Sequence, residues 1–521
     1  MNTTSHMPAP HAPWAVRMQG IVKRFGAVQA NAGVDLSVQR GTVHALVGEN
    51  GAGKSTLMSV LYGFYQAEAG HIEIDGQPVE IAHSQQAIAL GLGMVHQHFM
   101  LVDTLSALDN VLLGSETDLR LRRAEQTARA RLQTLMDQCG LHVALDSLVA
   151  DLSVGDRQRL EILKALYRGA RILILDEPTA VLTPQETRQL FEVLDRLRAQ
   201  GTTIILITHK LKEVMSLCDA VTVMRAGRVV HECAIADTSV EQLAEAMVGR
   251  KVNLGRGDAP AVVGGEVTLR AEGLQVQDAL GVARLKDVSL TLHAGEIVGV
   301  AGVAGNGQSE LLAALSGLIQ PVSGSLSLGA QTFGCGSGQR WLDPRTAREQ
   351  GLAHVPEDRH ARAMVMGFPA WESAVLGHED QPAYSTRWGW MRRSRMLAAT
   401  RAMMAQFDVR PQDPFLGSAK FSGGNQQKLV LAREMGQNPA VLLVGQPTRG
   451  VDIGAIEFIH ARLRALRDAG CAVLVVSSEL DEILALADRV LVMNAGRITG
   501  ELPIGDCDET RLGLLMSETA A

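Results

Sequence analysis

The sequence predicts an α/β protein of two tandem domains, each built on a mostly parallel sheet, and three observations predict it. A strand, a glycine-rich loop and a Leu-rich helix follow one another at residues 41–61 and again at residues 295–315. Apolar runs of strand length alternate with amphipathic helical patterns in both halves, as parallel strands joined by crossover helices require. The length of 521 residues exceeds what one hydrophobic core organises, so at least two domains are expected.

In chain order, residues 1–13 contain three prolines and no apolar core of signal-peptide length, so they are expected to be a disordered start. The first domain is expected at 14–248. Within it Val43-His44-Ala45-Leu46-Val47 reads as a buried strand and Leu57-Met58-Ser59-Val60-Leu61 as the opening of a helix. Between them lies Gly48-Glu49-Asn50-Gly51-Ala52-Gly53-Lys54-Ser55-Thr56. Glycines at these positions let backbone N–H groups turn inward around a polyphosphate, and the helix N-terminus adds its positive dipole end. Lys54 then reaches the β- and γ-phosphates, and the Ser55 hydroxyl becomes a Mg²⁺ ligand.

The run 171–175 ends a second buried strand at Asp176-Glu177-Pro178. A carboxylate at that strand end suits support of Mg²⁺, and the next one can orient or deprotonate a water. Residues 201–209 form a further buried strand that delivers His209 to its carboxyl end, where α/β sheets place ligands. Between loop and carboxylates stands Leu152-Ser153-Val154-Gly155-Asp156, ahead of an amphipathic helix.

Residues 249–266 lack helical or strand periodicity and read as a surface linker. The second domain, 267–521, repeats the first with telling changes. Gln308 stands at the position of Lys54, Gly445 and Gln446 at those of Asp176 and Glu177, and Ser478 at that of His209. Lys54 and Gln308 are 254 positions apart and Asp176 and Gly445 are 269 apart, so about fifteen extra residues are expected in the second copy, in the Gly/Ser/Arg-rich stretch 334–345. Phe421-Ser422-Gly423-Gly424-Asn425-Gln426 offers an anion a hydroxyl, backbone N–H groups and a helix N-terminus.

Net charge of −7 carries no basic excess of the kind that neutralises nucleic-acid phosphates. The six cysteines are scattered without a C-x-x-C pair, which suits reduced thiols rather than a disulfide framework or zinc site. The longest apolar runs have strand length, so work at a membrane would require other subunits to span it.

The phosphate loop, Ser-Gly-Gly element, Asp-Glu strand and His strand, in this order and with remnants in a second copy, resemble the ATP-binding-cassette (ABC) ATPases along essentially the whole chain. That resemblance implies ATP and Mg²⁺ as cofactors, and a helical subdomain beside each sheet core. It also implies a head-to-tail sandwich, with each ATP held between the phosphate loop of one cassette and the Ser-Gly-Gly signature of the other. Carried over residue by residue, it makes Phe25 the aromatic that stacks on adenine and Gly48, Asn50, Gly51, Gly53, Lys54, Ser55 and Thr56 the phosphate contacts. Ser55, Gln97 and Asp176 become the Mg²⁺ set, Glu177 and His209 the catalytic pair, and Ser422, Gly423, Gly424 and Gln426 the opposing signature. Asp452 is kept at the position where the family has an aspartate beside the opposite site, whereas the first copy has Thr183 there. One competent and one degenerate site follow.

Fused cassettes with Pro447-Thr448-Arg449-Gly450-Val451-Asp452 after Gln446 resemble the ATPase subunits of bacterial monosaccharide and nucleoside importers. Such a subunit is peripheral on the cytoplasmic face of the membrane and works with two integral-membrane permease subunits and an extracytoplasmic solute-binding lipoprotein, without nucleic acid. Gln97, and the segment containing Glu357, would face the permeases. Sugar-type members keep Asp-Glu in the second copy. Residues 94–102 and 454–460 are similar to the nucleoside-type branch. The alternatives are a ribose- or galactose-type importer and, from another class, a soluble tandem cassette acting on ribosomes or DNA, whose members carry a long charged linker and two intact sites.

Overall fold

The computed structural model describes residues 14–26, 28–96, 99–114, 121–179, 182, 184–251, 265–303, 305–336, 340–451 and 453–517. The expected disordered start, most of the linker, Gln97, Thr183 and Asp452 lie outside the described residues. The chain divides into two compact units, residues 1–252 and 253–521.

The first unit has strands β1 (Trp14–Phe25), β2 (Val28–Gln39), β3 (Val43–Gly48), β4 (Ala69–Ile74), β5 (Gln77–Val79), β6 (Leu92–Val95), β7 (Ile172–Asp176), β8 (Thr203–Ile207), β9 (Ala220–Arg225) and β10 (Arg228–Ala234). Its main sheet runs β10-β9-β3-β8-β7-β6. All its pairings are parallel except that of the edge strand β10. Every residue of β3, β7 and β8 is buried, as expected of unbroken apolar strands covered on both faces. The helix Lys54–Leu61 packs Leu57, Met58 and Leu61 against Leu46, Ile174 and Ile205 of this sheet. The helices Ala107–Leu112, Leu121–Cys139 and Val154–Tyr167 enclose a separate core around Leu108, Leu132 and Leu160, the expected helical subdomain.

A second, antiparallel sheet of order β2-β1-β4-β5 adds to the expected architecture. Its long strands escape the two-residue period because β1 changes register against β2 at several points and takes a positive φ of 64° at Gly20.

In the second unit the strands Leu352–Val355, Val441–Gly445, Ala472–Ser477, Ile297–Gly302, Arg489–Asn494 and Arg497–Pro503 lie in this order in one sheet, the same order as in the first. Only part of the extra length falls in 334–345. Ala69 and Ser323 are 254 apart, Leu92 and Leu352 260, Ala107 and Ala370 263, and Val154 and Gly423 269. The rest is therefore added after Leu352–Val355, in surface connections that tolerate insertion without disturbing the sheet.

His44 sits fully inside β3 with Nε2 2.8 Å from Thr222 Oγ1, and burial lowers its pKa from 6.5 to about 4. The unfolded chain takes up this proton near pH 6.5 and the folded chain only near pH 4, so stability is complete above 6.5 and is lost as pH falls. By pH 5 the loss is expected to reach about 2 kcal/mol. Urea midpoints at pH 7 and pH 5 check this, because His44→Val should shrink the drop by that amount.

Candidate nucleotide site

The carboxyl ends of the neighbouring strands β3, β8 and β7 bring three sequence-predicted elements together: the 48–56 loop, His209 and the Asp176-Glu177 pair. Gly53 caps the helix at φ 99°, and a Cβ there would lie 2.2 Å from Ala30 O, so glycine is required. Lys54, 6% exposed, donates to Gly48 O at 2.7 Å and Glu49 O at 3.0 Å. Burial lowers its pKa, and the charges of Glu177, Asp176 and Glu49 counter part of that.

Asp176 closes β7 and is buried. Burial raises its pKa against a hydrogen bond from Ser55, and the Glu177 charge raises it further while Lys54 lowers it. Ser55 and Asp176 thus pair a hydroxyl with a carboxylate, a hard oxygen set of the kind Mg²⁺ takes. Glu177 follows at φ 48°, with its N–H on Ile207 O at 2.9 Å and its Oε1 2.9 Å from His209 Nδ1. Burial pushes its pKa up, but the hydrogen bond and charge of His209, with Lys54 and Lys210, outweigh this and hold it below the ordinary carboxylate value.

Phe25 ends β1 43% exposed, edge-on to Tyr65 at 5.1 Å, so its ring is available to a flat ligand. Sequence reasoning passed over Tyr65 and Asn31. Asn31, fully buried in β2, donates from Nδ2 to Gly53 O at 3.1 Å, while its Oδ1 has no partner among the described residues. No local signal marked it, because β2 also carries Gln29, Asp35, Ser37 and Gln39.

The second unit keeps the geometry and loses the charges. Gln308 is as buried as Lys54 and donates from Nε2 to Val303 O at 3.1 Å. Gln446 has φ 48° and bonds Val476 O through its N–H at 2.7 Å, and its Oε1 accepts from Ser478 N at 3.2 Å and Oγ at 3.1 Å. Leu285 takes the place of Asn31, with Cδ2 2.9 Å from where a Gly307 Cβ would be.

The two signature helices also differ. Ser422 caps Gly423–Met435 and its Oγ accepts from Asn425 N at 3.4 Å and Asn425 Nδ2 at 2.8 Å. Ser153 caps Val154–Tyr167 and likewise accepts from Asp156 N at 3.1 Å, but its hydroxyl donates to Asp156 Oδ2 at 2.8 Å. Gln426 is buried; its Nε2 donates to Ser418 O at 3.0 Å and its Oε1 faces His360 Nε2 at 2.8 Å, so its side chain braces the helix from within.

Known proteins resemble the chain along nearly its whole length. The family model for the ABC transporter matches twice, at residues 32–180 and 285–449. The chain is 45% identical to the guanosine import ATP-binding protein NupO of Bacillus subtilis (97% of each chain) and 43% identical to the nucleoside import ATP-binding protein NupA of Lactococcus lactis (96% of this chain, 97% of that one). It is 37% identical to the ribose import ATP-binding protein RbsA of Chromobacterium violaceum (97% of this chain, 99% of that one). Among solved structures, the archaeal ribosome recycling factor aABCE1, in complex with the stalk protein aP1, matches 93% of this chain and 90% of its own at a TM-score of 0.63 and 16% identity, a likeness of fold alone. The chain belongs to the ABC transporter family, as an ATPase of two fused cassettes.

Proposed function

We propose that this chain energises nucleoside import, hydrolysing Mg²⁺-ATP in its first cassette only and acting from the cytoplasmic face on two permease subunits supplied by a solute-binding lipoprotein. The observation that carries the asymmetry is the set Lys54, Ser55–Asp176 and Glu177–His209 in one unit against Gln308, Gly445 and Gln446–Ser478 in the other. Among the described residues no helix is long and apolar enough to cross a membrane, which fits a subunit that works through permeases.

In this reading Lys54 would exchange its own loop carbonyls for the phosphates, and Ser55 and Asp176 would hold the Mg²⁺, which would neutralise developing charge. By the family resemblance Gln97 would be a further contact to the ion, and Phe25 would stack on the base with Tyr65 at its edge. Glu177, kept ionised beside His209, orients the attacking water and takes its proton. The signature at Ser422, Gly423 and Gly424 offers donors to a nucleotide phosphate, with Gln426 holding that helix in place.

Nucleoside as cargo is supported by the guanosine and nucleoside importers, more similar to this chain than the ribose importer. Uptake of labelled guanosine and labelled ribose by cells with and without this chain tests it. Loss of guanosine uptake alone is expected; loss of ribose uptake alone would make the cargo a sugar.

A further inference from the structure

The second cassette carries a tight hairpin between the helices Ala370–Ser373 and Arg393–Gln406. Ser385 bridges Met391, Thr386 N donates to Trp390 O at 2.9 Å, Gly389 N donates to Thr386 O at 2.9 Å and Arg392 N donates to Tyr384 O at 2.7 Å. Gly389 closes the turn at φ 80°. Buried Tyr384 packs with Trp371, Val375 and Met396, so the hairpin stands on a small core of its own. Its tip faces outward: Trp388 is 87% exposed, Trp390 76% and Met391 62%. Large apolar side chains left open side by side mark an interaction surface. The offset between the two copies grows from 263 at Ala370 to 269 at Gly423, and the first copy has no tryptophan in the matching stretch 107–154. The tryptophan pair therefore belongs to the second cassette alone.

Charge selects the partner. Residues 381–407 hold five arginines and no acidic residue, in a chain whose net charge is −7. Arg387, Arg393 and Arg395 are exposed, and Arg393 also stacks on Trp371 with its Cζ 5.1 Å from the ring centre. Indole rings settle at the level of lipid headgroups, where an apolar body and a polar N–H are both accommodated. Arginines beside them meet the phosphates of anionic lipids. Tryptophan anchors at protein interfaces fill pockets, whereas a bilayer receives a protruding tip without one. We propose that this hairpin docks on the anionic lipid surface of a bilayer, with Trp388 and Trp390 entering the headgroup layer and Arg387, Arg393 and Arg395 pairing with lipid phosphates. This goes beyond the proposed import function, in which the chain reaches the membrane only through its permeases.

The test uses the full-length chain without permeases and two kinds of vesicle, phosphatidylcholine alone and phosphatidylcholine with about one-third phosphatidylglycerol. The wild type should sediment with the anionic vesicles and not with the neutral ones, its tryptophan emission should shift to the blue, and salt should release it. Trp388→Ala with Trp390→Ala should weaken vesicle binding by about 10- to 100-fold and remove the blue shift. Arg387→Gln with Arg395→Gln should weaken it by about fivefold for each charge removed. All four side chains are exposed, so urea midpoints and ATP turnover should match the wild type, which separates docking from folding and from the nucleotide site. Equal binding to both vesicles, or binding to neither, overturns the proposal and leaves the first-cassette ATPase, read by phosphate release, standing. Anionic binding that both variants keep overturns it as well. If vesicles stay unbound while the variants lose a single-stranded RNA, or lose permeases captured in detergent, the hairpin is a nucleic-acid or protein contact and the proposal fails.

Discussion

Glu177→Gln is expected to lower ATP turnover by at least about 10²- to 10³-fold, the usual cost of removing one positioned electrostatic group, while leaving nucleotide binding intact. Glu177 is held from both ends, by its N–H on Ile207 O and by His209 on its carboxylate. Burial would favour its neutral form, but His209, Lys54 and Lys210 keep the pKa below the ordinary carboxylate value, so the base is charged at neutral pH. Glutamine fits the same place. Gln446 already occupies it in the second unit, with the same φ of 48° and the same backbone bond to the next strand. The substitution therefore removes charge and basicity and spares the fold. The reverse change, Gln446→Glu, should leave turnover within about twofold, because Gln308 and Gly445 still deny that loop its lysine and strand-end carboxylate. Phosphate release at saturating Mg²⁺-ATP, alongside binding of a fluorescent nucleotide, separates chemistry from affinity. Turnover that survives Glu177→Gln would remove Glu177 from the mechanism.

The strand–loop–helix, the Asp-Glu strand and the His strand were legible because each is a short local pattern: a mostly apolar, fully buried strand of five or six residues with polar residues at its end. What makes them one site is the parallel pairing of β3 with β8 and of β8 with β7, which follows from the same apolar runs. The antiparallel sheet was not legible, since register shifts and Gly20 in β1 blur its alternation. Asn31 was passed over for a related reason: its role depends on β2 lying against the loop, a long-range contact with no local signature. Glu357 carried a clue, an acid two residues past a strand end, but it pointed toward a membrane partner. Only the space left by Gly445 shows that the side chain turns to Ser309. Missing chemistry could be read from one-to-one replacements along the two copies.

Asn425→Asp is expected to lower turnover by about 10- to 100-fold without destabilising the protein. The change alters no shape, and an acid in the first turn of Gly423–Met435 interacts favourably with the helix dipole by about 0.3–1 kcal/mol. Its effect falls on the Ser422 hydroxyl. In the native second unit that oxygen accepts from the Asn425 amide and backbone, which leaves its proton for an outside acceptor such as a phosphate oxygen. An aspartate reproduces the first unit, where Ser153 gives its proton to Asp156 and a negative charge stands at the helix end. An anion approaching that end then loses a donor and meets a like charge, a loss of a few kcal/mol at the effective dielectric of a protein surface. The mirror change, Asp156→Asn, should leave turnover within about twofold, because the head-to-tail sandwich that the family resemblance implies gives the first signature to the loop that has lost its lysine. Steady-state ATPase rates for the two variants, beside their urea midpoints, decide the matter: equal losses from both would mean that the signatures are not divided between a working and a silent site.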